Sequence, residues 1–328
     1  MDFLSAIKII RPINLFILAL TQLLCRWSIT NVPFLEGLNI HPMLNDTYFG
    51  LLVLSTIVIA AGGYIINDIS DVDIDRVNKP NKVIINKYIS ESFAMKIYMF
   101  LSLFGIVLGG ILAWHIEMKE LIMLHVMMVA FLFFYANYLK SKLLIGNLVV
   151  AFCASFSILI IIFFDLDHVH DMNEGQGLVY LGSYAALICY SFFAFLTTLM
   201  REIIKDIEDK IGDQDFDCKT IPIVWGDKIA KMIVSLLNII LMAMLGVFIL
   251  LFVQNQYMKG IVVVVVMLLL PSVLFQIKLV KAHEKKEFSF LSLVLKINML
   301  LGIFTLIFLH NGDAAMIFSS FFDLIGIR

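Results

Sequence analysis

Asp68, Asp71 and Asp75 stand at i, i+3 and i+7 in the stretch Asn67-Asp68-Ile69-Ser70-Asp71-Val72-Asp73-Ile74-Asp75. Asp206, Asp209 and Asp213 repeat that spacing in Asp206-Ile207-Glu208-Asp209-Lys210-Ile211-Gly212-Asp213. On a helix of ~3.6 residues per turn, these offsets place three carboxylates on one face. Stacked like charges repel, so folding alone gains nothing from them. A hard divalent cation does: Mg²⁺ binds through one or two carboxylates together with substrate phosphates. Two such faces turned towards each other would hold a diphosphate between metal ions.

Each triplet is interleaved with cations, Arg76, Lys79 and Lys82 after the first and Arg201, Lys205 and Lys210 around the second. Guanidinium and ammonium groups take up phosphate oxygens that a metal leaves uncoordinated. A solvated loop whose charges pair with one another would explain one triplet, but two matched ones weigh against it. Asn14 either lines a pocket or bonds a neighbouring helix. Tyr135, Tyr138, Lys140 and Lys142 close one apolar run, either as an interfacial aromatic belt with its lysines or as ligand contacts. The run Asp165-Leu166-Asp167-His168-Val169-His170-Asp171 has metal-ligand residue types but reads as a solvated acidic loop on the other side. Gly62-Gly63 permits close helix packing. A few of the 28 phenylalanines, if they line an interior cavity, would stabilise a carbocation through their ring faces.

The elements that must carry these residues are membrane helices. The 328 residues are 61% hydrophobic and 15% charged, with a mean hydropathy of +0.96, against about a quarter charged in soluble domains. Runs of about 20 apolar residues predict nine spans, at 12–29, 47–66, 93–114, 119–138, 143–164, 177–200, 229–253, 258–280 and 288–309. A shorter apolar stretch, Ala314 to Ile327, suits the interface. Of the 24 Lys and Arg, only Arg26, Lys119, Lys259 and Arg328 fall on one side, with Lys296 inside the ninth span. The positive-inside rule therefore predicts a cytoplasmic N-terminus, with both triplets on the cytoplasmic side of the cell membrane.

The first triplet closes the second span and the other closes the sixth, which predicts one domain over 1–328 built from two similar halves, about 1–142 and 143–328. The connections at 67–92 and 201–228 are long and polar, and are expected to cap a cavity between the helices. No small-residue cleavage site follows the first apolar run, so no signal peptide is expected to be removed. Cys25, Cys153, Cys189 and Cys218 lack paired spacing and read as packing residues. A net charge of −2 gives no sign of nucleic-acid binding, and nothing calls for an obligate protein partner.

These residues resemble the UbiA superfamily of intramembrane prenyltransferases. Its Asn-Asp-x-x-Asp-x-x-x-Asp signature is matched by Asn67, Asp68, Asp71 and Asp75, with Arg76-Val77-Asn78-Lys79-Pro80 similar to its basic continuation. The second signature resembles the run from Arg201 to Asp213, followed by Lys219-Thr220-Ile221-Pro222. Arg11-Pro12-Ile13-Asn14 and the stretch from Lys140 to Gly146-Asn147 are also similar. The resemblance covers most of the chain. Departures are Lys82-Val83, where an Arg-Pro is common, and Lys87, where a glycine is usual.

The resemblance implies an all-α bundle of nine transmembrane helices around a central cavity that opens to lipid, with cytoplasmic cap loops. It implies Mg²⁺ as cofactor, held by Asp68, Asp71, Asp75, Asp206, Asp209 and Asp213, and a polyprenyl diphosphate and a lipophilic acceptor as partners. Asn67 would orient the first set. The family's Tyr-x-x-x-Lys element fits Tyr138 to Lys142, while Lys140 aligns better with the run into Gly146-Asn147 and is the lysine expected to act; Tyr135, Tyr138, Arg76, Lys79, Arg201, Lys205 and Asn14 would contact substrate. The Arg-Glu-x-x-Lys-Asp-x-Glu-Asp form is most similar to members that attach a geranylgeranyl group to the hydroxyl of a glycerol phosphate ether lipid. Neutralising the leaving diphosphate permits ionisation to an allylic cation, which the acceptor attacks while the membrane excludes water. The alternatives are prenylation of an aromatic acid in quinone biosynthesis and, in another class, a cation transporter. Transporters place their carboxylates near the midplane on broken helices, not at the ends of spans beside basic residues.

Overall fold

A backbone dissolved in hydrocarbon must satisfy its own hydrogen bonds, which leaves the helix as the economical spanning element. The computed structural model describes residues 8–31, 42–78, 80, 83–166, 174–308, 313, 317 and 319. Among them the only β pairing is the isolated bridge between Ile85 and Ile89. Among the described residues nine helices are long and apolar enough to cross a membrane, in the order predicted. The weak apolar stretch 314–327 lies outside the described residues apart from 317 and 319, as do Lys79, Lys82 and residues 167–171 of the acidic loop.

The helices are α1 (Pro12–Cys25), continued by a π turn Arg26–Thr30, α2 (Asp46–Ser70), α3 (Val72–Asn78) and α4 (Glu91–His115). Then come α5 (Ile122–Phe134), continued by a π turn Tyr135–Leu139, α6 (Ile145–Asp165) and the 42-residue α7 (Glu174–Asp215). After the short α8 (Ile221–Val224) follow α9 (Asp227–Gln254), α10 (Met258–Val264), α11 (Leu270–Lys281) and α12 (Lys285–Phe308). A π turn at Val265–Leu269 joins α10 to α11 just ahead of Pro271. Proline removes one ladder bond and clashes with the preceding turn, and a widened turn accommodates both.

The chain packs as two compact units. Residues 1–19, 45–153 and 205–230 form the first, and 20–44, 154–204 and 231–328 form the second. In the first, Ile65, Ile66, Ile85, Ile89, Ala94, Tyr98 and Ala136 make a buried cluster under the connection that follows α3. Gly62 and Gly63 let α2 approach its neighbours, as expected. A Cβ on Gly63 would lie 2.9 Å from Leu132 Cδ1, and one on Gly62 would lie 3.3 Å from Ser102 Oγ.

In the second unit, Arg26 pairs with Asp165 at 3.3 Å, and both side chains are buried. Thr30 donates to Asp165 at 2.8 Å and Arg26 donates to the Leu44 carbonyl at 2.6 Å. Asp165 is thus no part of a solvated loop: a buried guanidinium needs its carboxylate, and burial of one charge draws in the other.

The two triplets differ in backbone. The second lies wholly within α7, as its spacing predicts. The first straddles an interruption, with Asp68 in α2, Asp71 in a turn at the helix C-cap and Asp75 in α3. The ladder still runs through it, with Asp71 N–H donating to Asn67 O at 2.9 Å and Asp75 N–H to Asp71 O at 2.8 Å. Carboxylates crowded at a helix C-terminus oppose the negative end of its dipole, which favours ending α2 there.

Candidate functional site

The first unit carries both triplets. From the first motif, Asn67 donates through Nδ2 to Asp71 Oδ2 at 2.6 Å, while Lys140 Nζ forms an ion pair with Asp71 Oδ1. Both Lys140 and Asp71 are mostly buried. Arg11 pairs with Asp68 at 2.6 Å and sets its guanidinium 4.8 Å from the Tyr64 ring centre. Its backbone holds φ at 51°, in the left-handed region where a non-glycine residue is strained.

The second motif is met by amides. Asn147, on the first turn of α6, donates to Asp206 at 2.8 Å. Asn78, at the end of α3, donates to Asp213 at 3.3 Å and accepts from the Gly212 backbone N–H at 3.1 Å. A Cβ on Gly212 would collide with the Asn78 amide group, so glycine is what lets the two polar connections touch. Lys140 is fixed from behind. A Cβ on Gly146 would lie 2.8 Å from Lys140 Cα, and Ser141 O accepts from Lys219 N–H at 2.9 Å.

Cys218 reports how closely the motifs converge. Its thiol lies within electrostatic reach of Asp213, Lys140, Asp71 and Asp206. Burial pushes it above its ordinary value, the three aspartates push the same way, and Lys140 opposes them. The Cys218 thiol therefore feels the charge of one aspartate of the first motif and two of the second.

The remaining residues scatter more widely. Asp75 and Asp209 are half-buried on α3 and α7, and Lys205 and Asn14 are half-buried on α7 and in the first turn of α1. Tyr135 is half-buried, while Tyr138 is 58% exposed beside Phe134, as an interfacial belt would be. Arg76 pairs with Asp73 at 2.9 Å on the surface, where such a pair contributes little. Lys210 turns to Asp227 at 2.8 Å. Arg201 belongs to the second unit and pairs with Glu202 at 3.1 Å. Lys79 lies outside the described residues.

Among the described residues, no three His, Cys, Asp or Glu side chains stand together closely enough to hold a metal ion. Instead, N–H donors of Arg11, Lys140, Asn67, Asn147 and Asn78 take carboxylate oxygens that a metal would otherwise use. The donor set nonetheless fits a hard cation. It offers carboxylate oxygens, and the Asn67 Oδ1 atom beside Asp71 is buried with no hydrogen-bond partner. An amide oxygen buried without a donor costs roughly 1–3 kcal/mol, and a cation there would satisfy it.

Arg11, Asn78, Asn147 and Gly212 were not singled out for a role by spacing. All four fall within the stretches that carry the family resemblance, which marked their neighbourhood without giving them a role.

Comparison with known proteins places this geometry in context. Residues 37–306 match the model of the UbiA prenyltransferase family. A digeranylgeranylglyceryl phosphate synthase from Methanosphaera stadtmanae is 36% identical over 201 residues, 60% of this chain and 66% of that protein. The chain thus spans just under two thirds of that relative's length. A structure described as giving insight into digeranylgeranylglyceryl phosphate synthase in membranes covers 95% of this chain and 99% of its own. Its TM-score is 0.61 at 21% identity. A UbiA homologue from Archaeoglobus fulgidus bound to GPP and Mg²⁺ covers 92% of this chain and 99% of its own. Its TM-score is 0.59 at 12% identity. At these identities the structural likeness is one of fold.

Proposed function

The chain belongs to the UbiA prenyltransferase family, and from that premise we propose that it is an Mg²⁺-dependent geranylgeranyl transferase acting on the hydroxyl of a glycerol phosphate ether lipid. The observation that carries the reading is that Asn78, just behind the first motif, bonds Asp213 and Gly212 of the second within one unit, with Lys140 and Arg11 already paired to the first motif. The name of the relative from Methanosphaera stadtmanae supports the choice of acceptor. The Archaeoglobus fulgidus homologue, bound to GPP and Mg²⁺, supports the metal and the diphosphate donor.

Asp68, Asp71, Asp75, Asp206, Asp209, Asp213 and the Asn67 amide oxygen would hold Mg²⁺, which when bound supplies positive charge against the diphosphate. The chain's own cations do the remaining electrostatic work. Lys140 and Arg11 donate to Asp71 and Asp68, and an arriving diphosphate offers them further acceptors. Arg76, Lys79 and Lys205 would take further phosphate oxygens. Asn67 holds Asp71 in place. The C–O bond to the diphosphate breaks with both electrons leaving on oxygen. The acceptor hydroxyl oxygen then bonds the allylic carbon, and its proton passes to the released diphosphate. Tyr135 and Asn14 would line the substrate's path, and the apolar helices keep water from the cation. By the positive-inside rule, the site faces the cytoplasm.

The test is transfer itself. Purified chain with Mg²⁺ and labelled geranylgeranyl diphosphate is offered geranylgeranylglyceryl phosphate or an aromatic acid. Product on the glycerol lipid, abolished by chelation, is the expected result. Product on the aromatic acid alone would replace the acceptor and keep the chemistry. Transfer to neither, together with metal-driven cation flux into vesicles, would replace the enzyme by a transporter.

A further inference from the structure

A seam of amides and hydroxyls runs between α9 and α11, apart from anything the proposed chemistry uses. All of it lies in the second unit. Lys231, Ser235 and Asn238 stand at i, i+4 and i+7 on α9, hence on one face. At the end of α11, Lys231 Nζ donates to the Val280 and Ala282 carbonyls at 3.0 and 2.7 Å. One turn further in, Gln276 donates through Nε2 to Ser235 Oγ. Asn238 Nδ2 then donates to Gln276 Oε1 at 2.9 Å and to the Ser272 carbonyl at 3.0 Å. From α12, Asn298 Nδ2 donates to Ser272 Oγ at 3.1 Å, and Ser272 Oγ donates in turn to the Leu268 carbonyl at 2.8 Å.

The seam starts at a helix end and stops near the middle of three spans, Asp227–Gln254, Met258–Lys281 and Lys285–Phe308. Asn238 and Ser272 have no exposed surface, and Asn298 is 1% exposed. Asparagines within spans join helices through such bonds, and the N–H groups here do so. The amide oxygens do not: among the described residues, no group donates to Asn238 Oδ1 or Asn298 Oδ1, and both atoms are buried.

Turning either amide over is no remedy. Asn238 Oδ1 would then face the Ser272 carbonyl, which can only accept. Asn298 Oδ1 would face a hydroxyl whose single proton is already given to Leu268. Their partners therefore fix the orientation of both amides and leave two bare acceptors at a depth where an unmet polar atom is costly.

What these oxygens call for is a donor without charge. None of the seam's own side chains is a carboxylate, so a cation would bring uncompensated charge to the middle of the membrane, where charge is expensive. Water supplies two O–H donors and no charge. Leu268 and Gly302, one turn from Ser272 and Asn298, border a cavity of about 40 Å³. A water needs roughly 10–15 Å³ of such space, so room exists within a helical turn of the two oxygens.

We infer that Asn238 Oδ1 and Asn298 Oδ1 bind internal water at the middle of the membrane, as acceptors of its two protons. Ser235 and Gln276 are half-buried, so the seam grades from its outer end to the fully buried asparagines and marks the way in. The bound water completes a polar junction of α9, α11 and α12, in a medium where apolar contacts alone give helices little reason to associate.

The test uses the full chain in nanodiscs without substrate, and transfers magnetisation from water to nitrogen-15-labelled asparagine side-chain amides. Cross-peaks from water to the amides of Asn238 and Asn298, assigned from their backbone resonances, are the expected result. Asn298→Leu should also diminish the water peak at Asn238, because the water loses one of its two acceptors. Wild-type protein whose two amides receive nothing from water overturns the inference, and that result needs no variant to fold. A folded Asn298→Leu variant with an undiminished peak at Asn238 overturns the shared site. A Tm that rises with Na⁺ or K⁺ but not with choline, with no water peak, puts a cation at the oxygens and overturns it as well. Since no substrate is present, failure here leaves the prenyl-transfer reading untouched.

Discussion

The contact between Asn78 and Gly212 joins the two polar connections, and its energy can be worked out bond by bond. Gly212→Ala places a methyl on the Asn78 amide and must break both hydrogen bonds that the amide makes. A neutral bond contributes about 1 kcal/mol and a charge-assisted one about 1.5 kcal/mol, roughly 2.5 kcal/mol together. At 1.4 kcal/mol per factor of ten this is roughly sixty-fold in an equilibrium constant. The helix itself does not suffer, because alanine is the better helix former by about 1 kcal/mol. The cost should therefore fall on assembly of the site and not on the Tm. The assay is equilibrium binding of a non-hydrolysable geranylgeranyl diphosphate analogue with Mg²⁺, for Gly212→Ala, Asn78→Ala and the double variant. Asn78→Ala removes the same two bonds and empties the space the methyl needs. The double variant should therefore bind no more weakly than Asn78→Ala alone, a coupling of about 2 kcal/mol or more between neighbours. Strictly additive losses would refute the reasoning, and so would single variants that bind like wild type.

Three further outcomes follow from other contacts. Lys140→Met leaves the mostly buried Asp71 carboxylate with the Asn67 hydrogen bond but without its counter-charge. Diphosphate affinity should fall at least about a hundredfold by the same binding assay, in keeping with the roughly 3–5 kcal/mol of a broken buried pair. The Cys218 thiol, held above its ordinary value by burial and by its aspartate neighbours, stays protonated at neutral pH. Its maleimide labelling should be slow near pH 7 and quicken as pH rises past the usual thiol range, and Asp213→Asn should shift that rise to lower pH. Asp165→Asn leaves the buried Arg26 guanidinium without its counter-charge. The Tm should drop by several degrees, with partial recovery in an Arg26→Met/Asp165→Asn double variant, and diphosphate binding at the remaining folded protein should be unchanged.

The spans were legible because a bilayer writes its demands as long apolar runs, and each predicted run corresponds to a helix long enough to cross. The aspartate motifs were legible because repeated like charge has no structural motive. What the sequence hid were uncharged partners. Asn78 and Asn147 each carry a single amide that hydrogen-bonds an aspartate more than 50 positions away, and no local pattern announces such a reach. Gly212 was invisible for the same reason, since its value lies in what a side chain would strike. Asp165 was misread as solvated because its partner Arg26 lies 139 residues earlier. The interruption at Asp71 escaped because regular i, i+3, i+7 spacing describes a continuous helix, and the crowding that ends α2 acts on the backbone.

The account stands on one claim, that the two aspartate motifs hold a single diphosphate. The direct measurement is Mg²⁺-dependent binding of the non-hydrolysable geranylgeranyl diphosphate analogue to wild type, Asp71→Asn, Asp206→Asn and the double variant. One joint site predicts that either single substitution removes the metal-dependent part of the affinity and that the double loses no more than the worse single. Single substitutions without effect, or losses that multiply in the double variant, would mean that the motifs act separately.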